Sequence, residues 1–244
     1  MNNDILLCGN PNVGKSSIYN ILTKSHEHTG NWTGKTVEVT SKQIKNTKYK
    51  LIDLPGIYSL SSLSDEEIIT RNTLYFTCYE KIIYVCDACN LEKNLNLLLQ
   101  ISEINKNIIL CLNMVDELNN KQIEIDIEYL KEILGIEIVQ CSAREKDGIK
   151  ELFNSLEKHS VFRYKFNYNY TIEKHISFII DHVEEPYKNR FVAVKILEKD
   201  IDFIETIEKL NNDTILNDDI KKYIMSINSE EIADSIAASI NDRS

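Results

Sequence analysis

The stretch GNPNVGKS at residues 9–16 matches the pattern G-x-x-x-x-G-K-[S/T] at every defined position. It follows the apolar run 4–8, which is typical of a strand, and precedes the amphipathic segment 15–23, which is typical of a helix. In this context the N–H groups of the loop and of the helix N-terminus surround phosphate groups. We therefore expect the following residues to contact phosphates: Gly9, Asn10, Pro11, Asn12, Val13, Gly14, Lys15, Ser16 and Ser17.

Two side chains of this loop have further predicted roles. Lys15 is expected to reach the β- and γ-phosphates of a nucleotide, and the Ser16 hydroxyl is expected to bind Mg²⁺. The alternative is a chance glycine-containing turn, which the flanking strand and helix disfavour.

A second phosphate element is predicted at Asp53-Leu-Pro-Gly56, which ends the strand-like run 48–53. Asp53 can hold Mg²⁺ through a water molecule, and the N–H of Gly56 can approach the γ-phosphate. An isolated Asp-x-x-Gly is more often an ordinary turn. Its position downstream of the Lys15 loop favours the phosphate interpretation.

Base recognition is predicted for Asn113-Met114-Val-Asp116, directly after the apolar run 107–112. The Asp116 carboxylate can accept from both N1–H and the 2-amino group of guanine, whereas adenine has no such pair of donors. Asn113 is expected to brace the base and the loop. Downstream, Ser142 and Ala143 follow another strand-like run, and the Ala143 N–H is expected to contact guanine O6.

The segment 28–38 links the first helix to the second strand, where GTPases keep a loop that γ-phosphate and Mg²⁺ order. Thr36 is the candidate for a second Mg²⁺-binding hydroxyl. Trp32, the single tryptophan, and Thr33 are candidate nucleotide contacts in this polar loop. The alternative for Trp32 is packing against a neighbouring helix, because aromatic side chains usually bury their area.

Strand-like and helix-like segments alternate from residue 4 to about residue 160. Helices are predicted near 15–23, 65–77, 91–104, 126–134 and 148–159, and strands at 4–8, 36–43, 48–53, 81–86, 107–112 and 137–141. Together with the nucleotide motifs, this predicts an α/β, Ras-like P-loop GTPase domain with a six-stranded, mostly parallel sheet.

The alternation of strand-like and helix-like segments stops after residue 160. We expect the GTP-binding domain to span 1–160, a connector to span 161–170, and a small all-helical domain to span 171–244, where apolar residues recur at helical spacing. Residues 198–244 include 12 acidic and 5 basic side chains, so the outer face of the helical domain should be acidic.

Composition excludes several classes of protein. The net charge of −10 argues against a nucleic-acid partner, and no basic leader or long apolar run is present, so we expect a soluble chain. The six cysteines lie mostly in strand-like runs, which favours buried thiols in a reducing cytoplasm. Cys86 and Cys89 have redox or metal spacing, but no second pair lies at zinc-site spacing. His26 and His28 are equally weak evidence for a metal.

Taken together, these motifs resemble the N-terminal domain of the FeoB ferrous iron transporter family. The resemblance rests on the phosphate loop, on GNWTGKTVE at 30–38, DLPGIYSL at 53–60, CDACNLEKN at 86–94 and NMVD at 113–116, and covers about residues 4–155 closely. RFVAVKILE at 190–198 resembles part of the helical domain that follows, described in that family as favouring GDP binding. Thr33 and Lys35 depart from the family pattern.

The catalytic prediction depends on a residue that is missing. Ile57 follows Gly56, where Ras-like enzymes have a glutamine that orients the attacking water. The family resemblance implies potassium bound by Asn12 in the position of an arginine finger, so Asn12, Lys15 and Gly56 are the candidate catalytic residues. The alternative is that Asn12 only stabilises the turn. Slow, potassium-stimulated GTP hydrolysis is expected.

The resemblance also implies partners: GTP or GDP, Mg²⁺ and K⁺ in the site, and a membrane permease domain C-terminal to this chain, at the cytoplasmic face of a bacterial membrane. A homo-oligomer is a further expectation. Three alternatives stay open, namely a free-standing GTPase of RNA or ribosome biology, a nucleotide-binding scaffold with negligible turnover, and a metabolite kinase. The acidic second domain argues against the first, and the guanine motif argues against the last.

Overall fold

The computed structural model describes residues 3–24, 39–61, 64–211 and 214–241. The chain divides into two compact units between Tyr164 and Lys165. The boundaries of a connector at 161–170 stay a prediction.

The first unit contains, within the described residues, a six-stranded sheet in the order β2-β3-β1-β4-β5-β6. Its strands are β1 (Asp4–Gly9), β2 (Thr40–Gln43), β3 (Lys50–Asp53), β4 (Lys81–Asp87), β5 (Ile108–Asn113) and β6 (Glu137–Gln140). The β2–β3 pair is antiparallel and every other pair is parallel. The predicted fold class is confirmed.

Helices cover both faces of the sheet, as the strand–helix alternation predicts. In the first unit they are α1 (Lys15–Thr23), α2 (Asp65–Phe76), α3 (Leu91–Ile104), α4 (Leu118–Lys121), α5 (Ile127–Leu134) and α6 (Ile149–Ser155). Short 3₁₀ turns at Ala88–Asn90 and Val115–Glu117 precede α3 and α4. The strands β1, β4 and β5 are almost wholly buried, which is typical of a parallel sheet covered on both faces.

Two predicted elements differ from the structure by four residues at one end, and the others by at most two. The strand expected at 36–43 begins at Thr40, and residues 36–38 lie outside the described part of the chain. The helix expected at 148–159 ends at Ser155. Just beyond it, the buried ammonium of Lys81 on β4 donates to the carbonyl oxygens of Leu156 at 2.5 Å and Lys158 at 2.7 Å, so a tertiary contact satisfies backbone carbonyls where the helix has ended.

The second unit is helical: α7 (Tyr170–His182), α8 (Arg190–Leu197), α9 (Ile201–Asn211), α10 (Asp218–Ser226) and α11 (Ser229–Asn241). Asparagine caps begin three of these helices, because Asn169, Asn189 and Asn217 each accept from the N–H three residues ahead. Helix α8 is buried from Phe191 to Leu197 and packs against α7, α9 and α11. Among the described residues, no helix has the length and apolar content needed to cross a bilayer.

Parallel strands bring four predicted loops to one edge of the sheet. The phosphate loop follows β1, Asp53 ends β3, Asn113 ends β5, and Ser142 lies two residues beyond β6. The carboxyl ends of parallel strands share one edge, which is where open α/β sheets bind their ligands.

Candidate functional site

The phosphate loop joins β1 to α1 in a conformation that its residues favour. Gly14, the N-cap of α1, has φ +83°, and Asn12 has φ +66°. Both values lie in the left-handed region, which glycine adopts freely and asparagine more readily than most residues. Val13 is buried in the core, whereas Asn12, Ser16 and Ser17 are exposed. The loop therefore opens to solvent at the start of a helix, where the macrodipole favours an anion.

Lys15 and Asp53 form an ion pair between Nζ and Oδ1 that joins the phosphate loop to the end of β3. Their side chains are 11% and 18% exposed. Charges so sheltered from water interact more strongly than a surface pair. The contact brings together the cation predicted to reach the phosphates and the carboxylate predicted to hold Mg²⁺.

The turn after Asp53 lies against the phosphate loop. A Cβ added at Gly56 would lie 3.2 Å from both the N and Cα atoms of Pro11 and 3.5 Å from the carbonyl carbon of Asn10. The N–H of Ile57 donates to the Gly9 carbonyl at 3.4 Å. Gly56 is thus the point where the two predicted phosphate elements touch.

Asn113 connects the phosphate loop to the predicted base loop. Its Nδ2 donates to the carbonyl oxygen of Val13 at 2.9 Å, and its Oδ1 accepts from the N–H of Ala143 at 2.9 Å. The side chain is buried, where an unsatisfied amide would be costly. Met114 has φ +66°, which turns the chain towards Asp116 directly after β5. One side chain therefore holds three loops in register.

Asp116 has a partner that the sequence does not reveal. The Nη2 of Arg144 lies 3.1 Å from Asp116 Oδ2, with Asp116 16% and Arg144 70% exposed. The N–H of Ala143, predicted to contact guanine O6, donates here to Asn113 instead. Arg144 directly follows Ser142-Ala143 in the sequence, but sequence spacing alone does not show that its side chain reaches Asp116.

Some of the predicted residues lie outside the described residues: Trp32, Thr33 and Thr36, as well as His26 and His28. Within the described ranges, no group of three or more His, Cys, Asp or Glu side chains could hold a metal ion. All six cysteines are free thiols. Burial raises the pKa of the Cys8 thiol to about 12, which leaves it protonated and unreactive at neutral pH.

Gly148 closes the loop that contains Ser142 and Ala143. Its φ is +70°, and an added Cβ would lie 1.9 Å from the carbonyl oxygen of Gln140. Gly135 has the same φ, but its Cβ would meet side-chain atoms of Arg163 at 2.6–2.9 Å. A flexible side chain can move, whereas the backbone of a strand end cannot do so without disturbing the sheet.

Gly148→Ala should therefore cost more stability than Gly135→Ala. We expect the free energy of unfolding to fall by about 2–4 kcal/mol for Gly148→Ala and by about 1–2 kcal/mol for Gly135→Ala, since the left-handed conformation costs alanine about 1–2 kcal/mol at both positions. Urea unfolding followed by circular dichroism measures the difference. Equal losses would contradict a backbone clash at Gly148.

Comparison with known proteins shows which family has this arrangement of loops. The family model for ferrous iron transport protein B matches residues 3–156, and the model for the FeoB cytosolic helical domain matches residues 168–243. This chain belongs to the FeoB family. It is 34% identical over 232 residues to the Fe(2+) transporter FeoB of Staphylococcus aureus (strain MW2), covering 91% of this chain and 35% of that protein. It is 38% identical over 211 residues to an Fe(2+) transport protein A/FeoB fusion protein of Porphyromonas gingivalis, covering 80% and 25%.

Solved FeoB structures have the same fold. NFeoB from S. thermophilus bound to GDP.AlF4⁻ and K⁺ superposes with a TM-score of 0.79 at 31% identity, covering 99% of this chain and 97% of that one. A single-residue variant of S. thermophilus NFeoB bound to GDP gives a TM-score of 0.84 at 32% identity, covering 99% and 96%. The present chain spans about a quarter to a third of the length of the two FeoB relatives above.

Proposed function

We propose that this chain is the guanine-nucleotide-binding regulatory part of a ferrous iron transporter, and that it hydrolyses GTP slowly with stimulation by K⁺. The observation that carries the proposal is the bridge from Asn113 to Val13 and Ala143, at 2.9 Å each. It joins a phosphate loop to a guanine-type loop at the carboxyl edge of a parallel sheet.

In the proposed complex, the phosphates lie on the loop 9–17, at the N-terminus of α1. Lys15 turns from Asp53 to the β- and γ-phosphates, since their combined negative charge competes with a single carboxylate. Asp53 and the exposed Ser16 hydroxyl are oxygen donors of the kind that Mg²⁺ prefers, so these residues fit the ion. When bound, Mg²⁺ offsets negative charge on the phosphates.

Guanine specificity is assigned to Asp116. Its carboxylate accepts from N1–H and from the 2-amino group, and the base replaces Arg144 as its main partner. Arg144 is 70% exposed, so its guanidinium can return to solvent when the base takes its place on Asp116. Met114, Ser142 and Ala143 complete the proposed base pocket.

Hydrolysis breaks the bond between the γ-phosphorus and the β–γ bridging oxygen as water attacks from the opposite side, and negative charge accumulates on the leaving GDP. Ile57 has no group to orient this water. We therefore assign charge stabilisation to Lys15 and to the N–H of Gly56. The exposed Asn12 would hold a potassium ion, which would supply further positive charge. The S. thermophilus NFeoB structure bound to GDP.AlF4⁻ and K⁺ supports the presence of potassium in the proposed complex.

The remaining assignments depend on the family. Thr36 as a second Mg²⁺ ligand, and Trp32 and Thr33 as nucleotide contacts, stay proposals on residues outside the described ranges. Because the matched FeoB relatives are three to four times longer than the matched region, we propose that a permease domain belongs with this chain at the cytoplasmic face of the membrane.

Potassium dependence tests the catalytic part of the proposal. Turnover of GTP in KCl should exceed turnover in matched NaCl by at least about tenfold, since one electrostatic stabiliser of a transition state contributes about 2.7–4 kcal/mol in other enzymes. Asn12→Gly should lose this potassium response, because it removes the amide while keeping the left-handed backbone at φ +66°. Phosphate release in both salts is the measurement.

Asn12→Ala should also lose the response but adds backbone strain, so a matched control is needed. Asn46 has φ +59° in the turn between β2 and β3, outside the nucleotide loops. Asn46→Ala introduces similar strain and should keep the full potassium response. Equal turnover in NaCl and KCl for the unmodified chain would refute potassium stimulation.

A further inference from the structure

Tyr84 is a buried tyrosine in the middle of β4, beneath the phosphate loop. Its side chain is fully buried, and its strand neighbours are Cys8 on β1 and Leu110 on β5. Burial raises the pKa of the phenol well above its ordinary value, so the hydroxyl keeps its proton. A buried hydroxyl costs free energy unless it is hydrogen-bonded, so the partners of Tyr84 decide whether it is tolerated here.

The hydroxyl of Tyr84 connects two elements of the site. It lies 2.6 Å from the carbonyl oxygen of Asn94 in α3 and 2.8 Å from Oδ1 of Asn10 in the phosphate loop. The phenol has one proton, and the Asn94 carbonyl can only accept. Asn10 Oδ1 also accepts, so the single phenolic proton is shared between the two oxygens and the hydroxyl links α3 to the phosphate loop.

Asn10 in turn supports the contact between the two phosphate elements. It is 5% exposed, and its carbonyl carbon lies 3.5 Å from the position of a Cβ on Gly56. Pro11 is nearer still, at 3.2 Å. Any shift of the Asn10–Pro11 peptide therefore changes the surface on which Gly56 rests.

We propose that Tyr84 is a positioning residue for nucleotide state: through Asn10, its hydroxyl holds the Asn10–Pro11 peptide where Gly56 must pack when a γ-phosphate is bound. The inference rests on the proposed guanine-nucleotide function. It goes beyond that function, because loss of the Tyr84 hydroxyl should weaken binding of the triphosphate more than binding of the diphosphate. GDP has no γ-phosphate for Gly56 to reach.

Tyr84→Phe removes the hydroxyl and keeps the ring, so the core stays filled. It should weaken binding of a fluorescent, non-hydrolysable GTP analogue about three- to tenfold more than it weakens binding of the matching GDP analogue, the range expected for one lost hydrogen bond. The matched control is Tyr49→Phe. Tyr49 is also buried, and its hydroxyl lies 3.3 Å from Glu157 and 3.4 Å from Glu80, outside the nucleotide loops. This control should leave the affinity ratio unchanged.

A double-mutant cycle with Asn10→Ala separates positioning from a general loss of stability. Asn10→Ala alone should reproduce the selective loss of affinity for the GTP analogue, and Tyr84→Phe should add nothing to it. Thermal unfolding of each variant checks that it is folded. The inference is overturned by an equal loss for both analogues, by a similar ratio change in Tyr49→Phe, or by additive effects in the cycle. If the unmodified chain binds neither analogue, the proposed function itself is wrong.

Discussion

Asp116→Asn is expected to lower the affinity for GTP by at least about 100-fold and to create affinity for xanthosine triphosphate. The carboxylate of Asp116 offers two acceptors to the N1–H and 2-amino donors of guanine, and the amide replaces one acceptor with a donor. An opposed pair of buried donors costs about 1–3 kcal/mol for each group, and about 1.4 kcal/mol corresponds to tenfold in affinity. Xanthine has a carbonyl in place of the 2-amino group, so the amide pairs with it.

Competition between fluorescent GDP and each unlabelled nucleotide measures the change. Glu117→Gln is the matched control, because it removes the same charge from the next residue. The Glu117 side chain is 38% exposed and pairs with Lys121 at 3.2 Å. It should leave GTP affinity within about twofold, as expected for a surface pair. Unchanged GTP affinity in Asp116→Asn would remove Asp116 from the base site.

Gly14→Ala is expected to weaken both GDP and GTP by at least about 100-fold. A Cβ at Gly14 would lie 2.2 Å from the Nδ2 of Asn113, and the φ of +83° is itself unfavourable for alanine. Asn113 must then leave its bridge to Val13 and Ala143. The phosphate loop and the base loop then lose the side chain that joins them. Loss of two buried hydrogen bonds costs about 1–3 kcal/mol each, so affinity falls for any guanine nucleotide.

Gly56→Ala provides the contrast. Its Cβ would press on Pro11 at 3.2 Å without left-handed strain, and Asn113 stays in place. GTP affinity should fall and GDP affinity should change little, because the Gly56 N–H is assigned to the γ-phosphate. Isothermal titration with GDP and a non-hydrolysable GTP analogue separates the two variants. A selective loss of GTP in Gly14→Ala would contradict the role assigned to the Asn113 bridge.

The secondary structure was largely predictable because its signals are local. Helices α1 and α3 begin and end at the predicted residues, since apolar spacing and the flanking loops define them. The early end of α6 was not predictable, because the Lys81 ammonium that binds the carbonyl oxygen directly after the helix lies 75 residues from Leu156 in sequence. Local patterns contain no information about such a partner.

The candidate site divides in the same way. Motif spacing predicted which residues belong to the phosphate and base loops, and parallel strands imply that these loops share an edge. Spacing did not show that Lys15 pairs with Asp53, that Arg144 lies on Asp116, or that Tyr84 bonds to Asn10. Each contact depends on the order of the strands and on the orientation of the side chains. Sequences with the same apolar periodicity can differ in both.

By itself, then, the sequence determined the class of fold, the loops that meet a nucleotide, and the family to which GNPNVGKS and its companion motifs belong. Short motifs suffice for this because phosphate and guanine chemistry demands the same residue types at the same spacing. The tertiary structure alone decided how these loops are held. Asn113 and Val13 are 100 residues apart and Tyr84 and Asn10 are 74 residues apart. Contacts of this kind form only when the folded sheet brings distant strands together.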